Sequence, residues 1–135
     1  MSAITSFLNK LLSVFLLIVS FIVPSYEPVA VLAEVSPDRA AVTIEYTNHI
    51  PAEITTTPKF ILEKKTENGW EELPFAENAP GWQEIAVILL PGQSSRIAVD
   101  VNKYYGAPLE PGEYRAVVFY TLLGEKTATA VFTAE

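Results

Sequence analysis

The chain has no cysteine and one histidine, His49. The first absence excludes thiolate catalysis, cysteine-ligated zinc, a lipidated N-terminal cysteine and disulfide staples, so hydrophobic packing alone must hold the fold together. The second leaves His49 as the sole imidazole for general-base work. It follows Thr47 and Asn48 at the end of an alternating stretch, a loop setting in which a lone histidine is most often solvated. The six glycines all sit in turn contexts, so there is no glycine-rich phosphate loop.

Positive charge is also scarce. Nine Lys and Arg stand against sixteen Asp and Glu, a net charge of −7 scattered without runs. Such a surface repels phosphate backbones and anionic bilayers, which argues against nucleic acid as a partner and against electrostatic attachment to membranes. The length, 135 residues, allows one core.

The acids offer no metal site by pattern. Glu67, Asn68, Glu71 and Glu72 surround one turn, and Asp100 and Asn102 lie close together later, but neither set has the spacing of a calcium loop. On a strand, Glu71 and Glu72 would point to opposite faces, so solvated charge is the simpler reading. Nothing holds two carboxylates across a cleft, as glycoside hydrolysis needs. We therefore expect no enzyme: no catalytic residue, no cofactor and no metal.

What the chain does contain is one long hydrophobic run. Lys10 precedes thirteen uncharged residues, 11–23, apolar apart from Ser13 and Ser20, and Pro24 then ends any helix. That is signal-peptide length. A spanning helix needs about 20 apolar residues, reached here only by extending back to Ile4, with Lys10 snorkelling to the cytoplasmic side. Residues 1–27 read as a signal peptide or an uncleaved membrane anchor, with cleavage favoured. Either places residues 28–135 outside the cytoplasm, secreted or anchored to the cell membrane, with membrane contact confined to the N-terminal segment. Val23-Pro24-Ser25 and Val31-Leu32-Ala33 both offer small residues for cleavage, and the domain is taken to start near Pro28.

From there the pattern is strand after strand. Val29, Val31, Ala33 and Val35 alternate, and after a turn at Pro37-Asp38 so do Val42, Ile44 and Tyr46, with Thr43, Glu45 and Thr47 on the other face. A proline-punctuated loop over 48–58 precedes a strand over 59–65, with Phe60 and Leu62 inward and Glu63 and Lys65 outward. Asn68-Gly69 reads as a hairpin turn, returning through a partner strand over 70–75 in which Trp70 packs between sheets. Ile85, Val87 and Leu89 open a second predicted hairpin, closed by Pro91-Gly92-Gln93-Ser94 and answered by Ile97, Val99 and Val101. Tyr114, Ala116, Val118 and Tyr120 line the next strand, whose other face carries Val117 and Phe119, and the last runs over 127–133. No helical period is sustained beyond Val23.

The hexapeptide Leu109-Glu110-Pro111-Gly112-Glu113-Tyr114 reads as a tyrosine corner. Pro111-Gly112 supplies a tight turn, and Tyr114 can bury its ring while its hydroxyl bonds a backbone group just upstream. Leu109, Pro111, Gly112 and Tyr114 are thus structural residues. With seven to eight short strands, the corner favours an all-β, immunoglobulin-like or fibronectin-III-like antiparallel sandwich over a small barrel or jelly roll.

Several segments together, Leu62-Glu63-Lys64-Lys65, Asn68-Gly69-Trp70, Leu90-Pro91-Gly92-Gln93-Ser94, Tyr105-Gly106 and the corner through Arg115, resemble the bacterial Ig-like domains found in exported proteins of Firmicutes. The resemblance covers residues 40–135. It implies a non-catalytic module outside the cytoplasm and brings no catalytic residues. The chain departs from that family in lacking a lipoprotein cysteine and at Thr55-Thr56-Thr57.

Three functions follow, in descending order. The first is a structural or protein-interaction module at the cell exterior. The second is a carbohydrate-binding module in which Trp82, in the Pro80-Gly81 loop, is a stacking platform with Tyr104 and Tyr105 as companions for ligand contact; against this, loop aromatics of small sandwiches more often plug the open end of the core. A hydrolase comes last. The expected partner is an extracellular protein or a glycan.

Overall fold

The computed structural model describes residues 28–82 and 85–135, so the signal or anchor read from residues 1–27 lies outside the described residues. Among the described residues eight strands form two antiparallel sheets. β1 (Val29–Val35), β2 (Ala41–Asn48) and β6 (Ser94–Asp100) make a three-stranded sheet in the order β1-β2-β6. β3 (Ile54–Thr66), β4 (Gly69–Glu72), β7 (Gly112–Thr121) and β8 (Glu125–Ala134) make the second, in the order β4-β3-β7-β8, with β5 (Val87–Leu89) also pairing β3.

The alternation that predicts these strands also sets which residues meet. Val42, Ile44, Tyr46 and Val99 from one sheet face Phe60, Leu62, Tyr114, Ala116, Val118 and Phe132 from the other, all buried. Apolar burial of this kind contributes about 25 cal/mol per Å², and in a chain without disulfides it is the dominant stabilising term. β1 runs beside β8 with no register between them, so the sandwich stays open as two sheets and does not close into a barrel.

Several sequence expectations are corrected. Residues 48–58 are not all loop, because β3 begins at Ile54 and runs through Thr55-Thr56-Thr57-Pro58. Pro58 cannot donate to a ladder, and the register against β7 shifts between Thr56 and Phe60 to leave it in a bulge. On its other edge β3 meets β5 at Ile54–Thr56 and β4 at Glu63–Thr66, one after the other. The second predicted hairpin is therefore not one: β5 joins β3, whereas β6 pairs β2, so residues 90–93 carry the chain between sheets.

Other differences are local. The first hairpin turns at Glu67 and Asn68, and Gly69 (φ 104°) opens β4, which ends at Glu72 rather than Phe75. Trp70 does not pack between the sheets. It pairs Lys65, an outward position, and so lies on the outer face, with the Arg115 guanidinium 4.6 Å from its ring centroid. Arg115 in turn reaches the Glu63 carboxylate at 2.7 Å. Val101 belongs to no strand, since β6 stops at Asp100 and a helical turn, α1 (Val101–Tyr105), follows.

Three polar residues tie the sandwich together. Asn48 is fully buried, and its amide donates to the carbonyls of Ala52 (2.8 Å) and Leu89 (3.0 Å) while its Oδ1 accepts from the Ile50 N–H (2.9 Å). Thr56, also buried, accepts from the Tyr46 hydroxyl at 3.2 Å and donates to the Val87 carbonyl at 3.3 Å. Arg39 takes a left-handed φ of 61° in the β1–β2 turn and donates to the carbonyls of Leu109 (2.7 Å) and Glu135 (2.9 Å).

Candidate functional site

The aromatic residues singled out in the sequence do come together, held there by α1. The Asp100 side chain accepts from the Lys103 N–H at 3.3 Å, starting the turn, and Gly106 at φ 85° ends it with a left-handed cap that a side chain would strain. Ala76 N–H then bonds the Tyr104 carbonyl at 2.7 Å, fastening the loop after β4 onto the helix. Phe60 of β3 meets Tyr104 and Trp82 edge-on, with centroids 5.0 and 5.9 Å apart. Phe75 meets Trp82 edge-on at 5.2 Å and stacks on Tyr105 at 5.1 Å. Edge-to-face and offset pairs of this kind are each worth about 0.5–1.5 kcal/mol beyond burial.

This cluster closes one open side of the sandwich. Beside it runs a groove of about 390 Å³, with Phe60, Trp82 and Tyr104 lining it together with Ile85, Val87 and residues 96–98 of β6. Trp82 and Tyr104 thus share one surface, whereas Tyr105 lines a separate depression beside Leu73, Pro74 and the corner. Trp82 is half-buried by its aromatic neighbours, and its indole N–H is buried without a partner among the described residues.

The Tyr105 hydroxyl is also buried, beside the Leu62 backbone but without a hydrogen bond of good geometry among the described residues. Burial pushes its phenol well above the ordinary tyrosine value. The sign follows: the neutral side chain contributes its stability below the unfolded value of about 10 and loses it as pH climbs toward the folded value. Tyr105→Phe should therefore leave the protein unchanged or up to about 1 kcal/mol more stable at neutral pH. Urea midpoints at pH 7 and above pH 10 should fall less for the variant than for the parent. An equal fall would show that Tyr105 is not the group being titrated.

The remaining candidates stay apart. His49 is exposed beyond the end of β2, its backbone N–H on the Pro28 carbonyl at 2.9 Å. Glu67, Asn68, Glu71 and Glu72 are exposed around the first hairpin, and Asp100 is engaged in capping α1. Among the described residues no three acids or histidines gather as metal ligands, and no helix is long and apolar enough to cross a membrane. Ahead of β7, Tyr114 is 1% exposed, donates to the Glu110 carbonyl at 2.6 Å and stacks on Phe132 at 5.7 Å.

Sequence reasoning passed over Asn48, Thr56 and Arg39. Asn48 falls in the loop read over 48–58, Thr56 is one of three threonines before a proline, and Arg39 carries no motif. Asn48 has two partners close in sequence, but its bond to Leu89, that of Thr56 to Val87 and those of Arg39 to Leu109 and Glu135 span 31 to 96 residues, beyond the reach of any local signal.

Two antiparallel sheets packed face to face, with a buried tyrosine bonding back across the turn before the penultimate strand, define an immunoglobulin-like domain. The chain belongs to the bacterial Ig-like domain family, which matches residues 31–133. Among solved structures, the archaellum periplasmic stator protein FlaG from Sulfolobus acidocaldarius is similar with a TM-score of 0.52 at 15% identity, covering 77% of this chain and 97% of that one. The archaellum periplasmic stator complex of FlaF and FlaG from the same organism gives a TM-score of 0.52 at 12% identity, covering 79% and 90%. At such identities the likeness is one of fold. Bifidobacterium adolescentis GH3 beta-glucosidase matches at 20% identity over 78% of this chain and 16% of its own, with a TM-score of 0.37 too low to argue from. Among curated proteins nothing matches.

Proposed function

We propose that this is a non-catalytic Ig-like module that works outside the cytoplasm by binding another protein. The observation that carries it is how the chemically capable side chains are used. Tyr114 is committed to the corner, Asp100 to a helix cap and Tyr104 and Tyr105 to the end of the core. Ile85 and Val87 instead leave apolar surface exposed in the groove beside Trp82, and apolar surface of this kind marks contact sites. The hydrophobic run over residues 11–23 supports export, with the domain secreted or held at the cell membrane. The similar fold of FlaG belongs to a periplasmic stator that forms a complex with FlaF, a precedent for this architecture in protein assembly outside the cytoplasm.

Fractionation of the native host should find the protein outside the cytoplasm, and intact mass should separate cleavage near Pro28 from retention of the anchor. A cytoplasmic pool with an intact N-terminus would overturn the location. The carbohydrate reading keeps a place because Trp82 and Tyr104 line one groove. Glycan-array binding that Trp82→Ala abolishes would put sugar in place of protein as the ligand.

A further inference from the structure

β6 has a hydrogen-bonded neighbour, β2, on one side only. Its ladder is bracketed by Asn48 N–H to Gln93 C=O (3.0 Å) and Val101 N–H to Ala40 C=O (2.9 Å). Antiparallel pairs alternate between bonded and non-bonded, so Ser95, Ile97 and Val99 direct their backbone groups at β2. Those of Arg96 and Ala98 then point away from the sheet, with no ladder partner among the described residues.

Other edges are shorter or covered. β1 and β8 lie against each other, and the four residues of β4 and three of β5 share one edge of β3. β6 offers seven residues with no proline, lysine or bulge, the devices that usually blunt an edge. Its one basic side chain, Arg96, is engaged by Glu45 at 2.6 Å on the outer face. Directly beside this edge lies the groove of Phe60, Trp82, Tyr104, Ile85 and Val87, into which Ile97 also opens.

We infer that β6 is a docking edge that takes up an extended segment of a partner protein as an added strand, its alternate apolar side chains seated in the aromatic groove and its flanks basic. Main-chain bonds to Arg96 and Ala98 would supply affinity and the groove selectivity, as in strand addition generally. The basic flanks follow from charge: Glu34 and Glu45 outnumber Arg96 on the adjoining outer face, and Asp100 stands exposed at the end of the strand. A second copy would bring another net charge of −7 and be repelled. This inference rests on the protein-binding role proposed above and names its surface.

The test uses the full chain in mild detergent and a synthetic peptide of alternating valine and threonine with two lysines at each end. Hydrogen–deuterium exchange should show saturable protection over residues 94–100. Ala98→Pro removes an outward N–H and no bond to β2, and should weaken the peptide at least about tenfold. A peptide N-methylated throughout should lose binding to the same extent with the protein unaltered, so the test survives if the proline variant does not fold. Val131→Ala, exposed on the outer face of the other sheet, should change nothing. Absence of protection in β6, or equal binding of the methylated peptide, would overturn strand addition. So would a concentration-dependent dimer that Ala98→Pro dissolves, which would give the edge to a second copy. An exported protein with an unprotected β6 removes only this inference, whereas a cytoplasmic one removes the reading beneath it.

Discussion

Replacing Asn48 with leucine should cost roughly 2–6 kcal/mol, since two buried backbone groups, the Leu89 carbonyl and the Ile50 N–H, lose their partner at about 1–3 kcal/mol each and the part-buried Ala52 carbonyl loses a third bond. The side chain, itself fully buried, satisfies the carbonyls of Ala52 and Leu89 and the Ile50 N–H at once. Leucine fills the volume and pairs none of them. A domain with about 5–15 kcal/mol in total would be left marginal or unfolded. Asn48→Asp separates volume from bonding in another way. Its buried carboxylate would face two carbonyls, so its folded pKa would rise above the unfolded value of about 3.9, and stability would be present at low pH and lost as pH rises. Urea midpoints at pH 4.5 and 7 should therefore diverge for the aspartate variant and not for the leucine one. A leucine variant with an unchanged midpoint would mean that the loops around Asn48 open to water at little cost.

Tyr114→Ala should cost about 3–5 kcal/mol, the range for an aromatic removed from a core. The ring is 1% exposed and stacks on Phe132, so the space it leaves lies between sheets that cannot collapse freely. Tyr114→Phe isolates the hydroxyl. It should cost only about 1 kcal/mol, because Glu110 is exposed and its carbonyl can turn to solvent. Denaturant midpoints for the pair decide it: equal losses near zero would show a ring that contributes nothing to the core.

The strands legible in the sequence are those with one wet face. Val42-Ile44-Tyr46 and Tyr114-Ala116-Val118-Tyr120 alternate, and alternation with period two is a local signal that survives folding. Which strand pairs which is not local. Residues 85–101 look like a hairpin because two apolar stretches flank Pro91-Gly92, yet the backbone of β5 is claimed by β3 and that of β6 by β2. Pro58 reads as a strand breaker, but β7 on one side and two short strands on the other keep β3 continuous around it. The candidate site was legible to the same degree. Trp82 and Tyr104 could be named by residue type, while their sharing of a groove with β6 depends on the crossing between sheets that the pattern conceals.

The Arg39 side chain closes loops of 70 and 96 residues through Leu109 and Glu135. Bonds of such long reach form only after the sheets have met, since chain closure over that distance must be offset first by packing. Removing the Arg39 side chain is therefore expected to speed unfolding more than it slows folding, so that it affects how long a folded molecule lasts more than how fast it is made. On the location proposed above, outside the cytoplasm, that residence time would be the quantity that matters.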